Sequence, residues 1–472
     1  MDAYHLASSI VSLLAGNVGS TIDSAVLPEL IRTGKEDGAE SVRPLVAFFS
    51  WLSLFVAVAF CACLLIAPGI LIRFFAGGFD DERIRMGAEM LWWLTPFAAA
   101  IMLRPMAELW ATLQERYTLS SICATLFNFI AIPGLLLTIP LLGVYAVAFT
   151  MSVGHAAVLL LLLLLLRGIP VRFSFRRLRA ARLLRIFRNT LYSMGIFFAL
   201  SLFVVVDKYF ASRLPGGSVA AISYAGTILT FLTVLASAPL RFFLARISAL
   251  NVENDTAAQV IVSHSIVLAL TYFFPIALFA ASAAQSIVSF IYGWGNFDAR
   301  SVGMTALAFA AYCIGFAFSL GTTLLSRYAQ ALQRLALLML LSYLLVALNA
   351  LLDWLFIGRW GLGGLALATS ATQITGFVLY FFILMGPALL PFLWKCRFFQ
   401  QLPPLALLVF ATHRAQALGT LPQLLLTAAA TLLYFFTVER LGLMVALPEH
   451  WRPTQLALYL ARSVRPAGGK NE

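Results

Sequence analysis

Long apolar runs separated by short polar breaks recur along the chain, at residues 4–31, 45–70, 86–113, 119–140, 143–166, 189–212, 217–246, 258–291, 303–329, 334–357, 361–386, 396–412 and 420–440. Roughly 20 helical residues cross a hydrocarbon layer of about 30 Å, so the pattern predicts about thirteen membrane-spanning helices. The runs are continuous rather than alternating in polarity, which selects helices over a β-barrel. The span at 396–412 is the least regular, because Pro403, Pro404, His413 and Arg414 crowd it.

The first span departs from the pattern. Its stretch LLAGNVGSTIDSAVLPELIR, from Leu13, has the length of a crossing helix but carries Asn17, Ser20, Thr21 and Asp23. At 100° per residue, Gly16, Gly19, Ser20 and Asp23, with Asn17, Thr21 and Ser24 further round, fill an arc of roughly 200°. Leu14, Ala15, Val18, Ile22, Ala25 and Val26 fill the remainder. A carboxylate near mid-membrane costs about 2.5–3.5 kcal/mol unless it is paired or wet. Asp23 therefore implies either an aqueous cleft or a close helix contact through Gly16, Gly19 and Ser20 in which the carboxyl is neutral and hydrogen-bonded.

Composition agrees with the periodicity. The 472 residues are 61% hydrophobic and 11% charged, with a mean hydropathy of +0.93. No set of soluble cores could bury that apolar fraction. The cysteines, Cys61, Cys63, Cys123, Cys313 and Cys396, fall in or beside apolar spans and are read as small core residues rather than a metal set. His155, His264 and Asp353 are read as locally satisfied groups.

Charge sets an orientation. RGIPVRFSFRRLRAARLLRIFR, from Arg167 to Arg188, holds eight arginines and no acid, which places it in the cytoplasm. Loops on that side then carry Arg32, Lys35, Arg43, Arg116, Arg241, Arg246, Arg327, Arg334, Lys395 and Arg397. The opposite side holds only Arg73, Arg83, Arg85, Arg213, Arg300 and Arg359. The net charge of +12 is thus mostly topology. The arginine run suits an interfacial segment against anionic lipid, and no nucleic-acid partner is expected.

Internal repetition gives the architecture. LPELIRTGKEDG from Leu27 and LARISALNVEND from Leu244 lie 217 positions apart, and GVYAVAFTMS from Gly143 and GLGGLALATS from Gly361 lie 218 apart. One shared offset implies a duplicated six-helix unit, and an even number of crossings makes the repeats parallel. The expected fold is all-α: a polytopic membrane protein with two parallel six-helix repeats around a central cavity. The expected divisions are 1–188, an N-terminal lobe ending in the arginine-rich loop; 189–386, the repeated lobe; and 387–472, extra C-terminal helices and tail.

Other intramembrane charges are candidates for a cavity. In LRPMAELWATLQERY, Arg104 and Glu108 are one helical turn apart and can pair, while Pro105 can kink the helix. Arg104 is about 15 Å deep, at 1.5 Å per residue. Its fork suits a phosphate or carboxylate, and a purely structural pair with Glu108 stays open. Asp207 and Lys208 interrupt SLFVVVDKYF within three turns of the outer surface, where a lysine can snorkel.

Several stretches together resemble the lipid II flippase family of the multidrug/oligosaccharidyl-lipid/polysaccharide exporter superfamily. DKYFASRLPGGSVAAISYAGTILTF from Asp207 is similar to that family's seventh and eighth helices. YGWGNFDARSVGMTALAFAAYCIGFAF from Tyr292 is similar to its glycine–Phe–Asp–Ala loop and the helix after it. LQERYTLSSICATLFNFIAI and GLGGLALATS add weaker agreement. MDAYHLASSIVSLLAGN resembles the stretch following the family's first helix, so the chain is expected to begin where the second helix should, with Asp2 at the family's functional aspartate.

The resemblance also has departures. Positions where the family carries cavity arginines are here Ala15, Gly16 and Thr227. Arg104 is the candidate substitute. The resemblance implies a flippase for a polyprenyl-diphosphate-linked saccharide, lipid II or an exopolysaccharide unit, with substrate or cavity residues Asp2, Asn17, Asp23, Arg104, Glu108, Asp207 and Lys208. Expected partners are that lipid-linked saccharide, anionic lipids and cell-wall or exopolysaccharide synthesis proteins.

Three alternatives stay open. A cation-coupled drug exporter would need Asp23 and Glu108 free of arginine. A membrane glycosyltransferase would need a large outer loop with paired carboxylates. A non-transporting paralogue would be consistent with the missing arginines. No phosphate-cradling glycine loop or zinc-spaced set is present, so no cofactor, no metal and no enzymatic chemistry is expected.

Overall fold

The structure is a computed structural model that describes residues 1–166, 168–170, 180–249, 255–386, 391, 393–394 and 397–443. Those residues form helices joined by short turns, with no strand among them. The helices are α1 (Asp2–Leu14), α2 (Leu27–Asp37), α3 (Val42–Ile66), α4 (Pro68–Phe75), α5 (Asp81–Leu113), α6 (Tyr117–Leu142), α7 (Ala146–Leu165), α8 (Ala180–Ala211) and α9 (Ser218–Ala249). They continue as α10 (Asp255–Leu268), α11 (Phe274–Ser282), α12 (Ala284–Tyr292), α13 (Ala299–Ala331), α14 (Leu335–Met385), α15 (Phe398–Arg414) and α16 (Thr420–Arg440). Arg167, Arg172, Arg176, Arg177 and Arg179 of the arginine-rich run, together with Lys395 and Cys396, lie outside the described residues.

Nine described helices are long and apolar enough to cross a membrane, or ten when the pair bent by 48° at 2–37 is one span. Two apolar stretches, 125–165 and 335–385, are each long enough for two crossings. Each turns at a glycine with positive φ, Gly143 at 54° and Gly361 at 53°, where a side chain would be strained. Divided there, and with the 17-residue α15 included, the helices account for the spans read from the apolar runs.

The residues group into two compact units. One comprises Met1–Ala220 with Leu335–Ala350; the other comprises Ala221–Arg334 with Leu351–Glu472. In the first, Ile22, Val26 and Leu30 pack with Leu45, Val46 and Phe49 of α3, Met106 and Leu109 of α5, and Ile186 of α8. In the second, the largest fully buried side chains include Phe279, Phe309, Phe316, Tyr328, Phe377 and Tyr434. Outward positions are strongly apolar: Phe55 is 71% exposed, Ile66 82% and Leu141 83%, as residues bathed in lipid tails should be.

The duplication is visible atom by atom. Helices α5 and α13 are both 33 residues long. Each is capped by an aspartate, Asp80 accepting from Arg83 N and Asp298 from Ser301 N. Asp80 and Asp298 are 218 positions apart, as are Gly143 and Gly361, and as are Glu115 and Gln333, both left-handed. The two glycine stretches that carry the repeat in sequence end in Ser152 and Ser370, and those serines do the same thing. Ser152 Oγ donates to Trp93 O at 2.5 Å and accepts from Phe97 N at 3.3 Å. Ser370 Oγ donates to Ala311 O at 2.6 Å and accepts from Gly315 N at 3.1 Å. In each case a hydroxyl bridges the i and i−4 groups of a neighbouring helix, a device that both joins helices and bends the ladder it enters.

Two local expectations change. Cys63 is exposed rather than in the core, while Cys313 is buried and Cys61 half-buried. Lys208 does not snorkel; it is 7% exposed, for reasons given below.

Candidate functional site

The first span carries the site, and its helix is irregular where its sequence is polar. After α1 come a 3-10 turn at Ala15–Asn17, a single α-turn at Val18–Thr21 and a π-helical turn at Ile22–Val26 before α2 begins. Side chains compete for the backbone here. Asn17 Nδ2 donates to Leu13 O at 2.8 Å and Thr21 Oγ1 to Asn17 O at 2.8 Å, so polar side chains crowd the carbonyls the helix uses. Asn17 Nδ2 also reaches Ser201 Oγ on α8 at 2.8 Å, fixing the span to its neighbour.

Burial divides this span as its polarity does. Ala15, Ile22, Ala25, Val26 and Leu30 are buried, whereas Gly16, Ser20 and Asp23 are exposed. This reverses the arrangement on α3, whose exposed residues include Trp51, Leu54, Phe55 and Val58. A surface of glycine, serine and carboxylate gains nothing from lipid tails, so its exposure marks a wet face. Asp23 makes no hydrogen bond or ion pair among the described residues, and it sits inside the π-turn, a distortion often found at functional positions.

Helix α5 adjoins that face. A Cβ at Gly19 would lie 3.4 Å from Pro105 Cγ, so the absence of a side chain lets the two helices approach. Beside Pro105, Arg104 Nε donates to Glu108 Oε1 at 2.7 Å, with 18% of the arginine and 29% of the glutamate side chain exposed. The pair leaves the guanidinium's Nη groups without a described partner. Ala15 is buried, while Gly16 and Thr227 are exposed and uncharged.

The remaining candidates form a separate polar layer. Asp2 accepts from Gly217 N and Ala220 N, both at 2.8 Å, and so caps the first turn of α9 from a distant segment. Lys208 Nζ donates to His5 O at 3.0 Å and to Ser9 Oγ, which holds the ammonium against α1. Asp207, 5% exposed, accepts from Asn349 Nδ2 at 2.6 Å, and Asn349 is fully buried. The structure therefore brings Asn17, Asp23, Arg104 and Glu108 to one region and Asp2, Asp207 and Lys208 to another.

Sequence reading missed the partners Ser9, Ser201 and Asn349, as well as the serines at 152 and 370. The last two had a signal, since both end the repeated glycine stretches. His155, read as a satisfied group, has Nδ1 at 3.0 Å from Met151 O and packs between Phe97 and Phe127. No group of three His, Cys, Asp or Glu able to hold a metal occurs among the described residues.

Comparison with known proteins follows the same lines. A probable lipid II flippase MurJ from Synechocystis sp. is 26% identical over 391 residues, covering 79% of this chain and 72% of the relative. Relatives from Thermotoga maritima and Burkholderia cenocepacia, named probable lipid II flippase MurJ and lipid II flippase MurJ, are each 26% identical, over 66% of this chain and 63% of their own length. Among solved structures, a lipid II flippase MurJ in an inward closed conformation superposes with a TM-score of 0.74 at 18% identity, covering 93% of both chains. An inward-facing multidrug resistance transporter of the MATE family and MOP superfamily reaches 0.67 at 16%, covering 81% of this chain and 89% of its own. These structural likenesses establish the fold. The family model for the lipid II flippase MurJ matches residues 1–438, and the chain is accordingly a multi-pass protein of the bacterial cytoplasmic membrane that belongs to the lipid II flippase MurJ family.

Proposed function

We propose that the chain flips a polyprenyl-diphosphate-linked saccharide across the cytoplasmic membrane by alternating access. The lipid tail stays in the bilayer while the sugar diphosphate crosses along a hydrated protein face. The observation that carries this reading is the exposed polar arc of the first span, Gly16, Ser20 and Asp23, set against helices such as α3 that expose Trp51, Leu54, Phe55 and Val58. Arg104, beside the Pro105 that meets Gly19, supplies a cation on the helix adjoining that arc, with Glu108 fixing its Nε and leaving the Nη fork for a phosphate. No bond is made or broken in such a cycle, and the membrane potential can contribute about 2.3 kcal/mol per charge per 100 mV.

The family's relatives name lipid II as their substrate. Here Ala15, Gly16 and Thr227 stand where the family carries cavity arginines, so the substrate proposed is the wider class of polyprenyl-diphosphate-linked saccharides, lipid II or an exopolysaccharide unit. Anionic lipids at the arginine-rich run and cell-wall or exopolysaccharide synthesis proteins are the partners this role implies. A cation-coupled drug exporter is less consistent with the site, since Glu108 is tied to Arg104.

The test is complementation of a bacterial strain depleted of its lipid II flippase. Growth supported by the chain establishes lipid II as a substrate. Lysis despite normal membrane insertion, with restored polymer secretion in a strain lacking an exopolysaccharide flippase, establishes the alternative saccharide. Failure in both strains contradicts the flippase reading.

A further inference from the structure

We propose that Asp23 takes up a proton when an anionic head group enters the polar face of the first span and gives it back when the head group leaves. The inference rests on the flippase reading above and adds a proton to its cycle.

Asp23 is the one charged residue on the exposed arc of this span between Leu13 and Leu27. The segments packed against its π-turn are Val18–Thr21, α2, α5 and α8, and its buried side shares a core with Leu45, Val46 and Phe49 of α3, a helix whose one charged residue is Arg43. Val18–Thr21 carries no charge. On α2, Glu29 is 3.9 Å from Arg185 of α8, and Arg32 is bonded to Glu36 at 2.7 Å; Lys35 and Asp37 lie further along that helix. On α5, Arg104 is bonded to Glu108. On α8, Arg188 lies one turn beyond Arg185, and Asp207 and Lys208 belong to the separate polar layer. Arg32, Arg104 and Arg185 thus each have a carboxylate partner, whereas Lys35, Arg43 and Arg188 have none among the described residues, and Asp23 pairs with no cation there.

The electrostatic sum around the arc is one guanidinium against two carboxylates, Glu108 and Asp23. A diphosphate docking on Arg104 adds like charge beside Asp23. Two unit charges several ångströms apart in a partly wet site repel strongly enough to shift an equilibrium about tenfold or more. Protonation of Asp23 removes that repulsion, and the water that wets the arc supplies the proton. Glu108 is already bonded to Arg104, whereas Asp23 makes no hydrogen bond or ion pair among the described residues.

A metal cation is the less suited occupant, since no group of three His, Cys, Asp or Glu able to hold one occurs among the described residues. By linkage, an anion that favours protonation of Asp23 is itself bound more tightly as pH falls.

The experiment is titration calorimetry of the detergent-solubilised full chain with farnesyl diphosphate, in two buffers of different ionisation enthalpy. Wild type takes up more protons per ligand bound than Asp23→Asn, by up to one; the ligand's own titration is common to both and cancels in the difference. Asp23→Asn binds about tenfold more tightly at alkaline pH, where the wild-type carboxylate is charged. Asp23→Glu restores the uptake. Equal uptake by wild type and Asp23→Asn overturns the inference and leaves the flippase reading standing. Absence of binding by wild type overturns both.

Discussion

The carboxylate of Asp2 accepts a hydrogen bond from the backbone N–H of Gly217, 215 positions away, and a second from Ala220. The first turn of α9 is therefore capped by a residue of α1 rather than by its own flanking sequence. The same α1 surface takes the ammonium of Lys208 through His5 O and Ser9 Oγ. Replacing Asp2 by Ala removes both acceptors and is expected to cost about 1–2 kcal/mol. Ser9→Ala leaves the buried ammonium one acceptor short, at about 1–3 kcal/mol. Thermal unfolding in detergent reads both as lowered midpoints, with Asp2→Asn intermediate because one oxygen remains.

The duplicated serines make a matched pair of experiments. Ser152→Ala strips a partner from Phe97 N and Trp93 O, and Ser370→Ala does the same to Gly315 N and Ala311 O. Each loss is expected to cost about 1–3 kcal/mol. The two sites share no partner, so their effects in the double variant add. A double-variant midpoint shift well below the sum would contradict two independent clamps.

Glycine spacing supplies a contrast within one protein. A Cβ at Gly315 would stand 2.7 Å from Ser370 Cα, a backbone atom that cannot move aside alone. Gly226, inside α9, has open space. Gly315→Ala is expected to destabilise by more than about 2 kcal/mol through overpacking. Gly226→Ala raises stability by about 0.5–1 kcal/mol through helix propensity. Midpoints that move together in the two variants would refute the packing account.

Arg104 is testable by charge and by shape. Arg104→Ala is expected to abolish complementation while membrane insertion persists, and Arg104→Lys to recover little, because a point charge replaces the two-pronged fork. Arg104→Ala also strands Glu108, so the Arg104→Ala/Glu108→Gln double variant separates lost anion binding from an orphaned carboxylate. Wild-type growth of either alanine variant would remove Arg104 from the mechanism.

Much of this was legible in the chain itself, and the reasons differ by feature. Apolar runs mark the spans because the hydrocarbon layer imposes one length on every crossing. The arc around Asp23 was legible because helical periodicity assigns faces, and the repeat was legible because Gly143 and Gly361 hold the same left-handed turn. Periodicity does not say which neighbour a face meets. It therefore gave no warning that Lys208 would bury its ammonium against Ser9 or that Asn349 would reach Asp207 across 142 positions. The likeness between Phe79–Asp80 and Phe297–Asp298, also 218 apart, lay in plain sight and marks the two capped 33-residue helices.

The central claim is that the polar side of the first span meets water inside the membrane. It is tested most directly by placing single cysteines at Asp23, Ser20 and Phe55 in a cysteine-free background and treating whole membranes with charged thiosulfonate reagents. The account predicts modification at positions 23 and 20, with position 55 protected by lipid. Protection of 23 and 20 to the same degree as 55, under every condition that preserves the folded protein, would contradict it.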